Sequence, residues 1–214
     1  MKYELIIFDM DGTILDTLED LKNSMNYTLK LHNMPVRTLD EIRSFVGNGI
    51  RKLIERAVTE GTSNEKIEVI HKDFMAHYEI HCADFTRPYD GVIDLIKELR
   101  SRGYKTAVVS NKADAAVQDL CVQYFPGLFD LAIGERPEIA KKPAADMVNL
   151  ALEQLKSSGE KAVYIGDSDV DVATARNSNL DMIAVDWGFR TRDFLIEQGA
   201  EIIVSKPEEI LELI

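Results

Sequence analysis

Leu5-Ile6-Ile7-Phe8-Asp9-Met10-Asp11-Gly12-Thr13 decides how this chain is read. The apolar run predicts a buried strand of a parallel sheet. It ends in two carboxylates one residue apart, followed by a Gly turn. Strand side chains repeat with period two, so Asp9 and Asp11 can lean the same way at the strand's carboxyl end. Open α/β sheets bind ligands at that edge. Two crowded acids repel, which calls for a metal or a shared proton. A plain strand-to-turn exit would use the same residue types, and a metal-nucleotide Asp-x-Asp of a glycosyltransferase is a third reading. A calcium loop fails, because it wants an acid or amide at Thr13 and a glycine at Ile14.

Working outward, 214 residues with 45% hydrophobic content suffice for one domain with an insertion, or for two small ones. A formal net charge of -12 argues against nucleic-acid and anionic-membrane partners. Cys82 and Cys121 have no metal or redox spacing and read as ordinary thiols in a reducing cytosol. The N-terminus lacks a signal-peptide pattern, and no apolar stretch approaches membrane-spanning length. A cytoplasmic protein is expected.

After Thr17 the pattern turns helical. Leu18, Leu21, Met25 and Leu29 recur at helical spacing up to Pro35. Further helices are predicted over 39–59, with a break near Gly47-Asn48-Gly49, and over 65–80. From Pro88 helices (91–102, 114–123, 145–156 and from 170) alternate with strands (105–109, 131–133, 162–165, 182–185 and 202–204), and a last helix follows. Alternation of this kind predicts a parallel sheet with right-handed crossovers. The expected organisation is a catalytic core of residues 1–15 and 88–214, with an inserted helical cap of residues 16–87 over the sheet's carboxyl edge.

Three more polar clusters follow strands. In Ser110-Asn111-Lys112 the hydroxyl and the amide can bind an oxyanion or cap the next helix. Lys141-Lys142-Pro143 is a basic pair in an acidic chain, and the Lys before Pro is held extended; a solvated pair is the bland alternative. Gly166-Asp167-Ser168-Asp169-Val170-Asp171 puts three acids into five residues. That exceeds what capping needs, and hard oxygen ligands suit Mg²⁺.

Together these segments resemble the four motifs of the haloacid dehalogenase superfamily, in order and across the whole chain. The resemblance implies a Rossmann-like α/β core with the first strand central, and a helical cap between the first and second motifs. It implies Asp9 as a nucleophile that becomes an aspartyl phosphate and Asp11 as the acid-base that serves the leaving oxygen and the water. Mg²⁺ would be held by Asp9, the Asp11 backbone and Asp167, with Ser168 and Asp171 ordering the site. Gly12, Thr13, Ser110, Asn111 and Lys142 would hold the phosphoryl group, and Lys142 would offset transition-state charge. Asp169 falls at a variable position and is expected in solvent. One departure is Ala145, where relatives often carry a second Pro.

The second acid distinguishes the chain from dehalogenases, and from phosphonatases, which carry Ala there. Leu21 stands where a β-phosphoglucomutase-like protein would use His. Hydrolysis of a small phosphorylated metabolite is what remains. The segment Phe45-Val46-Gly47-Asn48-Gly49-Ile50-Arg51-Lys52-Leu53 resembles the Val-Gly-x-Gly segment of phosphoglycolate phosphatases, as does Asp186-Trp187-Gly188-Phe189-Arg190. Gly47, Asn48 and Gly49 would let backbone approach a small substrate, and Arg51 or Lys52 would meet its carboxylate. The implied substrate is 2-phosphoglycolate; pyrophosphate and sugar phosphates are alternatives within the fold. A phospho-Asp switch, of another class, would lack the cap and turnover. A monomer or homodimer is expected.

Overall fold

The computed structural model describes residues 2–214. It divides into two compact units, one of residues 2–15 and 88–214 and one of residues 16–87.

In the first unit, β1 (Leu5–Phe8) has all four side chains buried. Each apolar side chain removed from water contributes about 1.5–3 kcal/mol, so this strand belongs at the centre. It pairs in parallel with β4 (Lys105–Ala113) on one side and β6 (Ala162–Gly166) on the other. With β5 (Leu131–Glu135), β7 (Asp181–Val185) and β8 (Ile203–Val204), the sheet order is β5-β4-β1-β6-β7-β8. This is the expected α/β architecture. Flanking helices are α5 (Val92–Ser101), α6 (Asp114–Tyr124), α7 (Asp146–Gln154), α8 (Asp169–Asn177), α9 (Arg192–Glu197) and α10 (Pro207–Ile210). Leu5 and Ile7 pack with Met147, Val148 and Ala151 of α7 and Ala175 of α8. Ile6 and Phe8 point the other way and are equally buried, so both faces of the sheet are covered.

The second unit holds α1 (Leu18–Leu31), α2 (Leu39–Phe45), α3 (Ile50–Ala57) and α4 (Asn64–His81). Buried Asp20 fastens the end of this unit: its carboxylate accepts from the Phe85 and Thr86 amides and the Thr86 hydroxyl at 2.8–3.1 Å. Short strands β2 (Leu15–Asp16) and β3 (Arg87–Pro88) form a two-stranded sheet where the chain passes from one unit to the other.

Several boundaries differ from the sequence reading. The break expected near Gly47-Asn48-Gly49 is present and divides 39–59 into α2 and α3, with Gly47 and Gly49 both at positive φ, but α3 ends at Ala57. Strand β4 runs on through Ser110-Asn111-Lys112, with an irregularity against β5 between Val109 and Ala113. The six-residue helix α9 is additional.

Candidate active site

The register carries β1, β4 and β6 to the same level. Phe8 pairs with Val108 and Ile165, so Asp9 emerges beside Val109 and Gly166. Asp9 is buried, and its Oδ1 lies 2.7 Å from Lys142 Nζ. Lys142 sits in the β5–α7 loop, preceding Pro143 through a cis peptide bond. Its ammonium also donates to Asp171 Oδ1 at 2.8 Å and to the Tyr164 hydroxyl at 3.0 Å. The neighbouring Lys141 instead pairs with Glu135 on the surface. This geometry selects Lys142 of the two.

Asp171 is fully buried at the start of α8. Its Oδ2 accepts from the Ser168 amide and hydroxyl, while the Ser168 hydroxyl caps the Asp171 amide. This reciprocal capping box aims the other oxygen, Oδ1, at Lys142. Asp167 is held from two loops: Thr13 Oγ1 donates to Oδ1 at 3.1 Å and the Phe189 amide to Oδ2 at 2.7 Å. Gly12 turns at φ +90°, and a Cβ there would lie 2.4 Å from Asp167 Oδ2.

Asp9, Asp167 and Asp171 bring carboxylate oxygens within 4.8 Å of one another. One ammonium, Lys142, pairs with Asp9 and Asp171 within this cluster, leaving two negative charges uncompensated if all three carboxylates ionise. Burial, reinforced by the Asp171 charge, pushes Asp9 up to about 7 despite Lys142. Burial, with Asp171 and Asp9 behind it, holds Asp167 well above the usual carboxylate range. Burial alone would lower Lys142, but the Asp171 and Asp9 charges outweigh it and hold the ammonium well above its ordinary value. A doubly charged deficit of hard oxygen donors fits a divalent cation such as Mg²⁺.

Asp11 is partly exposed, and its Oδ1 and Oδ2 accept from Lys112 Nζ at 3.0 and 3.3 Å. Ser110 Oγ accepts from the Lys112 amide. Asn111 donates its side-chain amide to the Lys142 carbonyl at 3.0 Å, so that amide group braces the lysine loop. Its buried Oδ1 has no partner among the described residues. Asp169 was expected in solvent. It instead accepts from Arg190 Nε at 3.2 Å, because the β7–α9 loop reaches back to the start of α8. Tyr164, Lys112 and Phe189 were not read as site residues. Tyr164 is hidden in an apolar run, Lys112 is 101 residues from its acid, and Phe189 contributes only backbone.

In the other unit, Arg51 Nε pairs with Glu55 at 3.0 Å and its Nη1 with Glu68, while Lys52 pairs with Glu55 at 2.6 Å. Asn48 Oδ1 accepts from Arg56.

A first strand that ends in a buried carboxylate, a buried Lys and a capped acidic loop on one parallel sheet define a haloacid dehalogenase-like hydrolase. The family model of that name matches residues 6–185, and the chain belongs to this family. It is 30% identical to the phosphoglycolate phosphatase of Aquifex aeolicus, over 98% of this chain and 95% of that one. It is 27% identical to the N-acetylmuramic acid 6-phosphate phosphatase of Pseudomonas aeruginosa, over 100% of this chain and 96% of that one. A solved structure from Lactobacillus delbrueckii subsp. bulgaricus, provisionally named a phosphoglycolate phosphatase, superposes with a TM-score of 0.95 at 39% identity, covering 100% of this chain and 98% of that one. No helix among the described residues is long and apolar enough to cross a membrane.

Proposed function

We propose that the chain hydrolyses a small phosphomonoester, with 2-phosphoglycolate as its leading substrate, through a phosphorylated Asp9. The observation that carries this reading is the buried Asp9–Lys142–Asp171 chain at the end of the central strand. The Asp9 carboxylate attacks phosphorus and the ester P–O bond breaks. Asp11 passes a proton to the departing oxygen, then takes one from the water that attacks the aspartyl phosphate and frees phosphate. Lys142 aligns Asp9 and answers charge on the phosphoryl oxygens. The first main-chain amides after Asp9 and the Ser110 hydroxyl would serve the remaining phosphoryl oxygens, whereas the Gly12 and Thr13 amides are bonded to the Leu15 and Met10 carbonyls. Asp171 orients Lys142 and does not itself face the substrate. Asp9, the Asp11 carbonyl and Asp167 would hold Mg²⁺, which supplies charge neutralisation between an anionic nucleophile and an anionic phosphate. The helical unit would act as a cap that selects substrates by size and excludes water.

A panel of 2-phosphoglycolate, sugar phosphates and pyrophosphate, assayed with Mg²⁺, tests the reading. Multiple turnovers are expected, fastest on 2-phosphoglycolate, and Asp9→Asn should abolish them while the protein stays folded. Full turnover by Asp9→Asn, or after exhaustive chelation, would overturn it. Stoichiometric phosphorylation without turnover would place the chain among phospho-Asp switches instead.

A further inference from the structure

Lys112 and Lys142 are the two buried lysines among the described residues. Lys142 is engaged by Asp9, Asp171 and Tyr164 on the phosphoryl side of the site. Lys112 stands on the other side. Its ammonium straddles both oxygens of Asp11, at 3.0 and 3.3 Å, and Asp11 is the group assigned to the leaving oxygen.

An oxygen hydrogen-bonded to Asp11 at about 2.7 Å lies within roughly 6 Å of that ammonium. In 2-phosphoglycolate the carboxylate carbon is two bonds from the ester oxygen, roughly 2.5 Å further on. A carboxylate turned back along Asp11 toward the ammonium then falls within reach of Lys112 Nζ. Charge points the same way: such a substrate brings a carboxylate besides its phosphoryl group into a cluster already rich in acids, and a buried cation is what that carboxylate requires. In the helical unit, Arg51 is paired with Glu55 and Glu68, and Lys52 with Glu55.

We propose that Lys112 is the specificity residue for a carboxylate on the leaving group: it binds the acid of a 2-phosphoglycolate-type substrate while Asp11 serves the ester oxygen. The assignment rests on the phosphomonoesterase reading above. It makes the chain a reader of phosphorylated 2-hydroxy acids through its core.

The test compares 2-phosphoglycolate with 2-hydroxyethyl phosphate, which keeps the ester and loses the carboxylate. Wild type, Lys112→Met, Lys112→Arg and the double variant Arg51→Ala/Lys52→Ala are assayed with Mg²⁺, with thermal unfolding as a check on folding. Wild type should prefer 2-phosphoglycolate in kcat/KM. Lys112→Met should lose at least tenfold of that preference, through KM for 2-phosphoglycolate, and Lys112→Arg should keep most of it. The double variant should leave the preference in place. Equal losses on both substrates in Lys112→Met would mean that Lys112 acts only through Asp11, and would overturn the inference while leaving the phosphatase reading intact. Loss of preference in the double variant but not in Lys112→Met would overturn it too. A wild type that hydrolyses phosphomonoesters yet ignores the carboxylate overturns the inference alone. A wild type with no phosphomonoesterase activity overturns the underlying reading, and this is seen before any variant is made. Should Lys112→Met fail to fold, Lys112→Gln against Lys112→Arg decides by the same ratio.

Discussion

A Cβ placed on Gly188 would lie 2.3 Å from the carbonyl oxygen of Gly12. The loop after β7 therefore lies directly against the turn after β1, with no room for a side chain between them. The indole of Trp187 donates to the Thr13 carbonyl at 3.0 Å, and the Phe189 amide to Asp167. Trp187 and Gly188 thus hold the far loop to the turn that follows Asp9 and Asp11, and Phe189 holds it to the start of the β6–α8 loop.

Gly188→Ala should push these loops apart. The methyl would also meet Asp167, at 2.4 Å from its Oδ2. Backbone cannot yield as a flexible side chain can, so a stability loss of about 1–3 kcal/mol is expected, in the range for overpacking. Urea unfolding measures the stability change, and kcat should fall with it. A variant with unchanged stability and kcat would refute the close packing.

Removing Asp171 should damage folding as well as turnover. Asp171→Ala strips Lys142 of a fully buried partner and the α8 start of its capping box. Breaking one side of a buried pair costs about 3–5 kcal/mol. Relief of the repulsion on Asp9 and Asp167 offsets part of this, so about 2–4 kcal/mol is expected by denaturant unfolding. Asp171→Asn keeps the shape and should lose less stability, but still turn over slowly.

The acid cluster gives metal-free stability a definite pH slope. An unfolded Asp ionises near its ordinary value of 3.8, whereas folded Asp9 keeps its proton up to about 7. Asp167 shifts in the same direction. Between these limits the folded state binds more protons than the unfolded one, so stability should fall as pH rises from about 4 to about 7. Mg²⁺ held by the ionised carboxylates would restore it at pH 8, by about 2.7 kcal/mol at a hundredfold excess over Kd. At pH 5 the gain should be much smaller. Equal thermal shifts with Mg²⁺ at both pH values would argue against a cation in this cluster.

Asp11→Asn should reveal its task through the leaving group. Without a proton donor, hydrolysis of an alkyl phosphate should fall about 10²–10⁴-fold. Nitrophenyl phosphate, whose phenolate departs unaided, should lose much less in the first step. Undiminished and equal rates on both would remove Asp11 from acid catalysis.

Much of this was legible in the sequence, for identifiable reasons. The Leu5–Phe8 run could only be a strand buried on both faces, and the alternation after Pro88 could only be a parallel sheet. Asp9 and Asp167 stand out as acids just past apolar strands, and Lys142 as a cation before Pro in an acidic chain. What stayed hidden depended on three-dimensional pairing. Ser110-Asn111-Lys112 reads as an oxyanion-binding or helix-capping segment past a strand ending at Val109, yet β4 continues through it by a local irregularity. The partners of Asp11 and Asp169 lie 101 and 21 residues away. No periodicity reports such distances. Tyr164 looks like one more apolar residue until its hydroxyl meets Lys142 and Asp171.

The capping box at the head of α8 has a consequence beyond local stability. Asp171 secures the helix with one oxygen and steers Lys142 with the other. The first turn of α8 is therefore a gauge that sets where the lysine stands, and through it Asp9. A substitution deep in α8 that slid the helix by a fraction of an ångström would be felt at the nucleophile without touching it. Variants selected only for a sturdier α8 would be expected to change turnover as well, because helix and nucleophile answer to the same carboxylate.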